Sequence, residues 1–242
     1  MIDYSNNNSN IETSGVQTKD AVSTFLANVF TYMGGALAIT GLLAYWFGST
    51  PSLITYLINP LGGATILGYI VMFSPLAFVL VMSFAFKKLS SFALLGLFIL
   101  YAAVMGLSMS FIFLAYTASS IASTFFITAA TFGVMAVLGY TTKQDLTKFG
   151  SILIMALIGI IIASVVNMFL GNGMLDIIIS CVGVLVFIGL TAYDVQKLKR
   201  IGAGVEYGSE SSNKLAIMGA LNLYLDFVNL FMMLLRLFGD RR

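Results

Sequence analysis

Seven long apolar runs, separated by short polar breaks, restrict this chain more than any other feature. They lie near residues 23–47, 62–86, 90–116, 119–141, 150–171, 174–196 and 215–238. A helix needs about 20 apolar residues to cross a hydrocarbon core of about 30 Å, so each run is long enough to span a bilayer. Of the 242 residues, 59% are hydrophobic and 9% charged, where a soluble domain carries roughly 25% charge. The expected fold class is therefore an all-α membrane protein with seven transmembrane helices. The breaks carry turn residues and charges, as in "GSTPSLITYLINPLGG" with Pro51 and Pro60, "FKKLSS", "TTKQDLTKFG" and "GNG". Residues 197–214 read as the longest internal loop, and Pro75 is expected to kink or break the second helix. Residues 1–20 are polar and rich in Asn and Ser, with no basic-then-apolar signal pattern. They read as a flexible polar tail, leaving residues 21–242 as the transmembrane domain.

Several functions are excluded by what the chain lacks. It has no histidine, which removes His-dependent catalysis, His-ligated haem and most zinc sites. Its one cysteine, Cys181, rules out an internal disulfide. No Gly-rich nucleotide loop is present, and a net charge of +2 is too small for nucleic-acid binding. The partners expected from composition begin with the lipid bilayer. Orientation follows from the basic residues. Lys19, Lys87 and Lys88, Lys143 and Lys148, and Lys197, Lys199, Arg200 and Lys214 flank alternate breaks, while the breaks after spans one, three and five carry no Lys or Arg. The amino terminus and the even loops are thus expected in the cytoplasm. Seven crossings place the carboxyl terminus outside; a last segment that re-enters without crossing is the alternative raised by Arg241 and Arg242.

Charge inside a span is costly and normally faces a bundle interior or a water-filled cavity. Span six carries Asp176, Ser180, Gly183, Thr191 and Asp194, which fall within about 80° of one another on a helical wheel. Asp176 and Asp194 are five turns, or about 27 Å, apart on that face. Interfacial solvation is the plain role for Asp176, and a local ion pair with Lys197, Lys199 or Arg200 the plain role for Asp194. Span seven reads "KLAIMGALNLYLDFVNLFMMLLRLFG", where Asn222, Asp226, Asn229 and Arg236 share one stripe. An Asp226–Arg236 pair would have to bridge about 15 Å along one helix. Asp226 is near mid-span, and its plain role is a structural carboxylate paired inside the bundle. Asn167 of span five reads as interhelical glue. Span seven carries more polar groups than spans one to four and is expected to be the most enclosed.

Spans six and seven are consecutive and antiparallel, so their stripes can place Asp194 opposite Asp226. Two carboxylates in low dielectric cannot both ionise cheaply; the pair titrates as a unit. Depth is an obstacle. Asp194 is three residues from Lys197, whereas Asp226 is about 18 Å from Lys214 along a helix. The two meet only if helix seven projects beyond the bilayer or a wet crevice reaches inward.

The motifs "MGLSMSFIFLAYTASSIASTFFITAATFG", "GYTTKQDLTKFGSILIMALIGIIIASVVNMF", "GLTAYDVQKLKR" and "LNLYLDFVNLFMMLLRLFG" resemble the bacterial branch of the Bax-inhibitor family, the transmembrane Bax inhibitor motif proteins. The resemblance covers about residues 20–239. It implies a seven-helix fold with the last helix central, a bacterial plasma-membrane location, and a calcium leak gated by protonation of an aspartate pair. That pair maps onto Asp194 of "TAYD" and Asp226 of "YLDF". Some bacterial members carry an arginine near the cytoplasmic end of helix two that latches onto the pair. Here "FAFKKLSS" offers Lys88, or Lys87, and a lysine lacks arginine's bidentate fork.

The leading expectation is a pH-sensitive cation leak with Ca²⁺ as the permeant ion and no cofactor. Hard cations take oxygen ligands; Asp194 and Asp226, with Asn and Ser oxygens nearby, would form a transient site. An intramembrane aspartyl protease is the enzymatic alternative, but such enzymes carry Gly-x-Gly-Asp and Pro-Ala-Leu motifs that are missing here. A regulatory adaptor that binds membrane proteases is the third reading, suggested by bacterial relatives.

Overall fold

The computed structural model describes residues 5–59, 63–206 and 208–241. Its helices are α1 (Ser5–Ser49), α2 (Pro51–Ile54), α3 (Ile66–Ala85), α4 (Ser91–Met109), α5 (Ile112–Ala115), α6 (Ala118–Thr141), α7 (Thr147–Leu170), α8 (Gly173–Gly204) and α9 (Glu210–Phe238), with no strand among the described residues. Seven segments are long and apolar enough to cross a membrane: Asp20–Ser49 of α1, α3, the α4–α5 segment Ser91–Ala115, α6, α7, α8 and α9. The chain is an all-α integral membrane protein. Helix starts fall where the sequence supplies caps. Thr65, Ser90, Thr117, Asn172 and Ser209 each accept an N–H from the first turn of the helix that follows, which satisfies donors that have no intrahelical partner.

Helix α9 is the axis of the bundle. In its most apolar stretch 72% of residues are buried, against 11–33% in the other six spans. The outer helices turn large side chains such as Phe84, Phe92 and Phe169 outward, as a bilayer solvent allows. Close approach depends on glycine at two crossings. A methyl group on Gly106 of α4 would lie 2.7 Å from the Thr40 carbonyl oxygen of α1, and one on Gly139 of α6 would meet the backbone of Ala192 in α8. Thr40 then ties three helices together: its hydroxyl donates to the Ala102 carbonyl at 2.8 Å and bonds the Tyr224 hydroxyl at 2.7 Å.

Two expectations change and two alternatives are resolved. Residues 197–204 are helical, the last part of α8, rather than loop. Residues 5–19, expected in a flexible tail, are the first turns of α1, while residues 1–4 lie outside the described residues. Helix α3 runs through Pro75 without a break. Proline removes the N–H that would bond the Val71 carbonyl, and the Ser74 hydroxyl donates to that oxygen instead, at 3.1 Å. As expected, α9 crosses the whole bundle. At its start Glu210 accepts from the N–H and hydroxyl of Ser91, at 2.6 and 2.7 Å, beside the α3–α4 connection. Past its end, Asp240 accepts from the Thr117 N–H at 3.1 Å and donates its own N–H to the Ser120 hydroxyl at 2.9 Å, beside the α5–α6 connection. These connections lie on opposite sides of α4, so the last segment does not re-enter. Pro60 and Arg242 lie outside the described residues.

Candidate functional site

Asp194 of α8 and Asp226 of α9 meet, close enough for a proton shared between their carboxyls to join them. The depth obstacle disappears because the lysines do not mark the helix ends. Helix α8 runs to Gly204, past Lys197, and α9 begins at Glu210, before Lys214. Asp226 is 6% exposed and Asp194 half-buried. Both line a cavity of about 690 Å³ walled by α3, α4, α7, α8 and α9. Lys197, exposed and one turn beyond Asp194, lies at its rim and is the cation whose charge acts on Asp194. Asn222 and Asn229 line the same cavity; the Asn229 amide donates to the Leu225 carbonyl at 2.8 Å. Ile160, Phe187, Leu190 and Met233 of its lining belong to a buried apolar cluster that also includes Ile179, Val186, Leu230 and Leu234.

The remaining expected residues fall into two other places. Beyond the apolar cluster, Arg236 pairs with Asp176 at 3.3 Å, with both side chains about one-third exposed. That replaces plain interfacial solvation for Asp176 and supplies the partner that Asp226 cannot be. Ser180 is buried and bonds the Asp176 carbonyl within its own helix at 2.8 Å. Asn167 is not interhelical glue: its side-chain oxygen accepts the Asn172 N–H at 3.1 Å and its carbonyl accepts the Gly171 N–H, closing the turn between α7 and α8. Gly171 takes a left-handed φ of 62° there, the usual conformation for such a stop. No group of three or more His, Cys, Asp or Glu able to hold a metal is present among the described residues.

The protein-family model described as "Inhibitor of apoptosis-promoting Bax1" matches residues 22–242. The chain belongs to the Bax inhibitor family. It is 45% identical to the inner membrane protein YbhL of Escherichia coli K12 over 228 residues, 94% of this chain and 96% of that protein. It is 44% identical to an uncharacterized protein of Borreliella burgdorferi over 218 residues, 90% of this chain and 92% of the other. An uncharacterized protein of Rickettsia prowazekii matches at 40% identity over the full length of both.

Within this family frame the structure moves the cation beside the pair. Lys87 and Lys88 follow α3, are exposed, and do not line the cavity. Lys197 does. Sequence reasoning also missed Gln196. Its amide donates to the Gln144 carbonyl at 2.7 Å, and its oxygen accepts from the Leu146 N–H at 2.9 Å and from Arg200 at 2.8 Å. Arg200 in turn pairs with Asp145 at 2.6 Å, so the α6–α7 connection is fastened to α8 next to the site. A buried glutamine one turn from Arg200 was the available signal, hidden by reading residues 197–214 as loop.

Proposed function

We propose that this Bax inhibitor family protein is a proton-gated cation leak of the bacterial inner membrane, with Ca²⁺ as the favoured ion. The observation that carries the reading is the meeting of Asp194 and Asp226 on a cavity that runs from an exposed rim to mid-bundle. Two carboxyls bond only when a proton lies between them, so the joint between α8 and α9 depends on pH. Losing that proton leaves two like charges that repel in low dielectric. Gaining a second replaces a charge-assisted bond by a weaker neutral one. Either change loosens α8 against α9, and the apolar cluster beyond the pair is shared by those helices. Carboxylate and amide oxygens suit a hard cation, and two acids form a transient site instead of a tight cage. The basic residues of the α3–α4, α6–α7 and α8–α9 connections support a cytoplasmic amino terminus, with the cavity opening to the cytoplasm.

The test is Ca²⁺ flux into dye-loaded proteoliposomes from pH 5 to 8. Asp194→Asn and Asp226→Asn each change the pH profile, and the double variant is non-additive because both act on one joint. If both single variants keep the wild-type profile, the pair is structural and the leak is not gated here.

A further inference from the structure

A second cavity, of about 390 Å³, lies against α9 and shares no residue with the cavity of the acid pair. Its floor includes Phe227, Val228 and Phe231 of α9, all buried. On the helix these lie about 100° or more around from Asp226 and Asn229, so the central helix has a cavity on either side. Ring contacts fix the floor: Phe125 lies 5.5 Å from Phe227 and 6.4 Å from Phe231 between centroids. The mouth lies between α1 and α6, whose lining residues Gly41, Tyr45, Ala122 and Phe126 are exposed. Both helices are membrane spans, and their outward faces meet hydrocarbon, so the cavity opens sideways into the bilayer. No side chain of its lining is charged. The Thr40 hydroxyl is taken up by the Ala102 carbonyl at 2.8 Å and the Tyr224 hydroxyl at 2.7 Å, and the Tyr45 ring stands at the mouth. Water held on the floor would find too few polar partners; a hydrocarbon chain needs none.

We propose that this cavity seats one acyl chain of a membrane phospholipid, whose phosphate pairs with Arg241. The mouth is near the membrane–water boundary. Tyr45 and Trp46, 60% and 58% exposed, stand about one turn from the end of α1 at Ser49, and exposed aromatic residues of this kind mark that boundary. The carboxyl-terminal segment is fastened beside it. Asp240 bonds the Thr117 N–H and the Ser120 hydroxyl, and Arg241 forms an antiparallel bridge with Tyr116. Ala118, the next residue after Thr117, already walls the cavity. Arg241 is exposed and makes no ion pair among the described residues, whereas Arg236, at the same end of the bundle, is taken up by Asp176. A guanidinium suits the oxygens of a phosphate. An acyl chain seated here supports the back of α9, opposite the acid pair. The site itself does not depend on the leak reading.

The experiment places the full chain in vesicles of phosphatidylethanolamine and phosphatidylglycerol that contain a phospholipid with a photoreactive diazirine at the end of one chain. After irradiation, mass spectrometry locates the labelled residues. Bulk lipid reaches outward side chains such as Phe169 of α7. A seated chain also labels Val228 and Phe231, which are 3% and 4% exposed. A methyl group on Gly41 would meet no atom within 4 Å, so Gly41→Leu narrows the mouth and leaves the bundle packed; Ala122→Leu narrows it from α6. Each lowers labelling of Val228 and Phe231 about tenfold, the scale of two lost buried methylenes, with labelling of Phe169 unchanged. Arg241→Gln lowers floor labelling several-fold. Labels confined to outward side chains overturn the proposal, as does floor labelling that is unchanged in the two mouth variants. Floor labelling by a photoreactive free fatty acid and not by the phospholipid overturns the choice of occupant, and full labelling in Arg241→Gln overturns the phosphate contact.

Discussion

Helices α8 and α9 are joined at both ends of their contact, and the two joints are unlike. At one end Asp176 and Arg236 attract as opposite charges at 3.3 Å, each about one-third exposed. At the other, Asp194 and Asp226 carry the same kind of group, and Asp226 is almost fully buried. Along α9, ten residues or about 15 Å separate the joints, and the intervening layer is apolar, with Leu230, Met233 and Leu234 buried against Ile179, Val186 and Phe187. The Asp–Arg joint holds without any shared proton; the Asp–Asp joint holds only with one. On the proposed reading, a change of pH acts on one end of the helix pair while the other stays fastened. Under the proposed function the pair would work as a hinge, loosened at one end by a proton while the bundle stays folded.

The comparison requires the apolar layer to separate the ends, and its removal should have the largest effect. Met233 is 8% exposed and its side chain faces Gly183 of α8, where even a methyl group would lie 3.0 Å from it. Met233→Ala opens space at that contact, at a cost of about 2 kcal/mol or more in stability. We expect Ca²⁺ flux to rise several-fold at every pH, with the midpoint of the pH profile unchanged. Flux at the wild-type level in Met233→Ala would place the seal elsewhere and dissolve the two-ended description.

Much of this architecture can be read from residues alone. The seven spans are marked by their own punctuation: the expected run 119–141 is observed as Ala118–Thr141, and 150–171 as Thr147–Leu170. Asp194 and Asp226 stand out because carboxylates are costly in apolar runs. Tertiary partners are harder. Arg236 meets Asp176 sixty positions away, a pairing set by helix stagger and not by any local period. Lysines in a sequence suggest span ends, yet Lys197 and Lys214 sit on helices that run on past them, which conceals both Gln196 and the depth at which the aspartates meet. Asn167 looked like an interhelical group because its own turn, with Gly171, is only visible once the chain reverses.

The fastened end can be tested next. Asp176→Asn removes one charge of a partly exposed pair, and such pairs contribute about 1 kcal/mol or less. A small loss of thermal stability is expected, with no shift in the pH midpoint of flux. Exchanging the charges, Asp176→Arg with Arg236→Asp, recovers most of the stability. A midpoint shifted by Asp176→Asn would show that both ends sense protons, and the contrast between them would be lost.

The smallest effect is expected at Asp145, and it separates the buried pair from the other charged contact near it. Asp145 lies in the connection between α6 and α7. The Thr147 hydroxyl donates to its Oδ1 at 2.6 Å, Arg200 donates at 2.6 Å and the Thr147 N–H at 2.9 Å. These bonds, the Thr147 hydroxyl first, hold the Asp145 carboxyl well below the usual carboxylate range. A folded-state value below the unfolded one of about 3.9 means that its contribution is fully present above that pH and is lost as the pH falls through and below it. From pH 5 to 8 Asp145 stays ionised whether the chain is folded or not, so its contribution there is constant. Asp145→Asn should accordingly lower the unfolding temperature by a similar small amount at pH 5 and pH 8, and by less at pH 3. Its flux profile between pH 5 and 8 should overlay that of the wild type. A shifted midpoint would mean that the α6–α7 connection, fastened to α8 through Arg200 and Gln196, takes part in sensing protons, and the pH response could no longer be assigned to the Asp194–Asp226 joint alone.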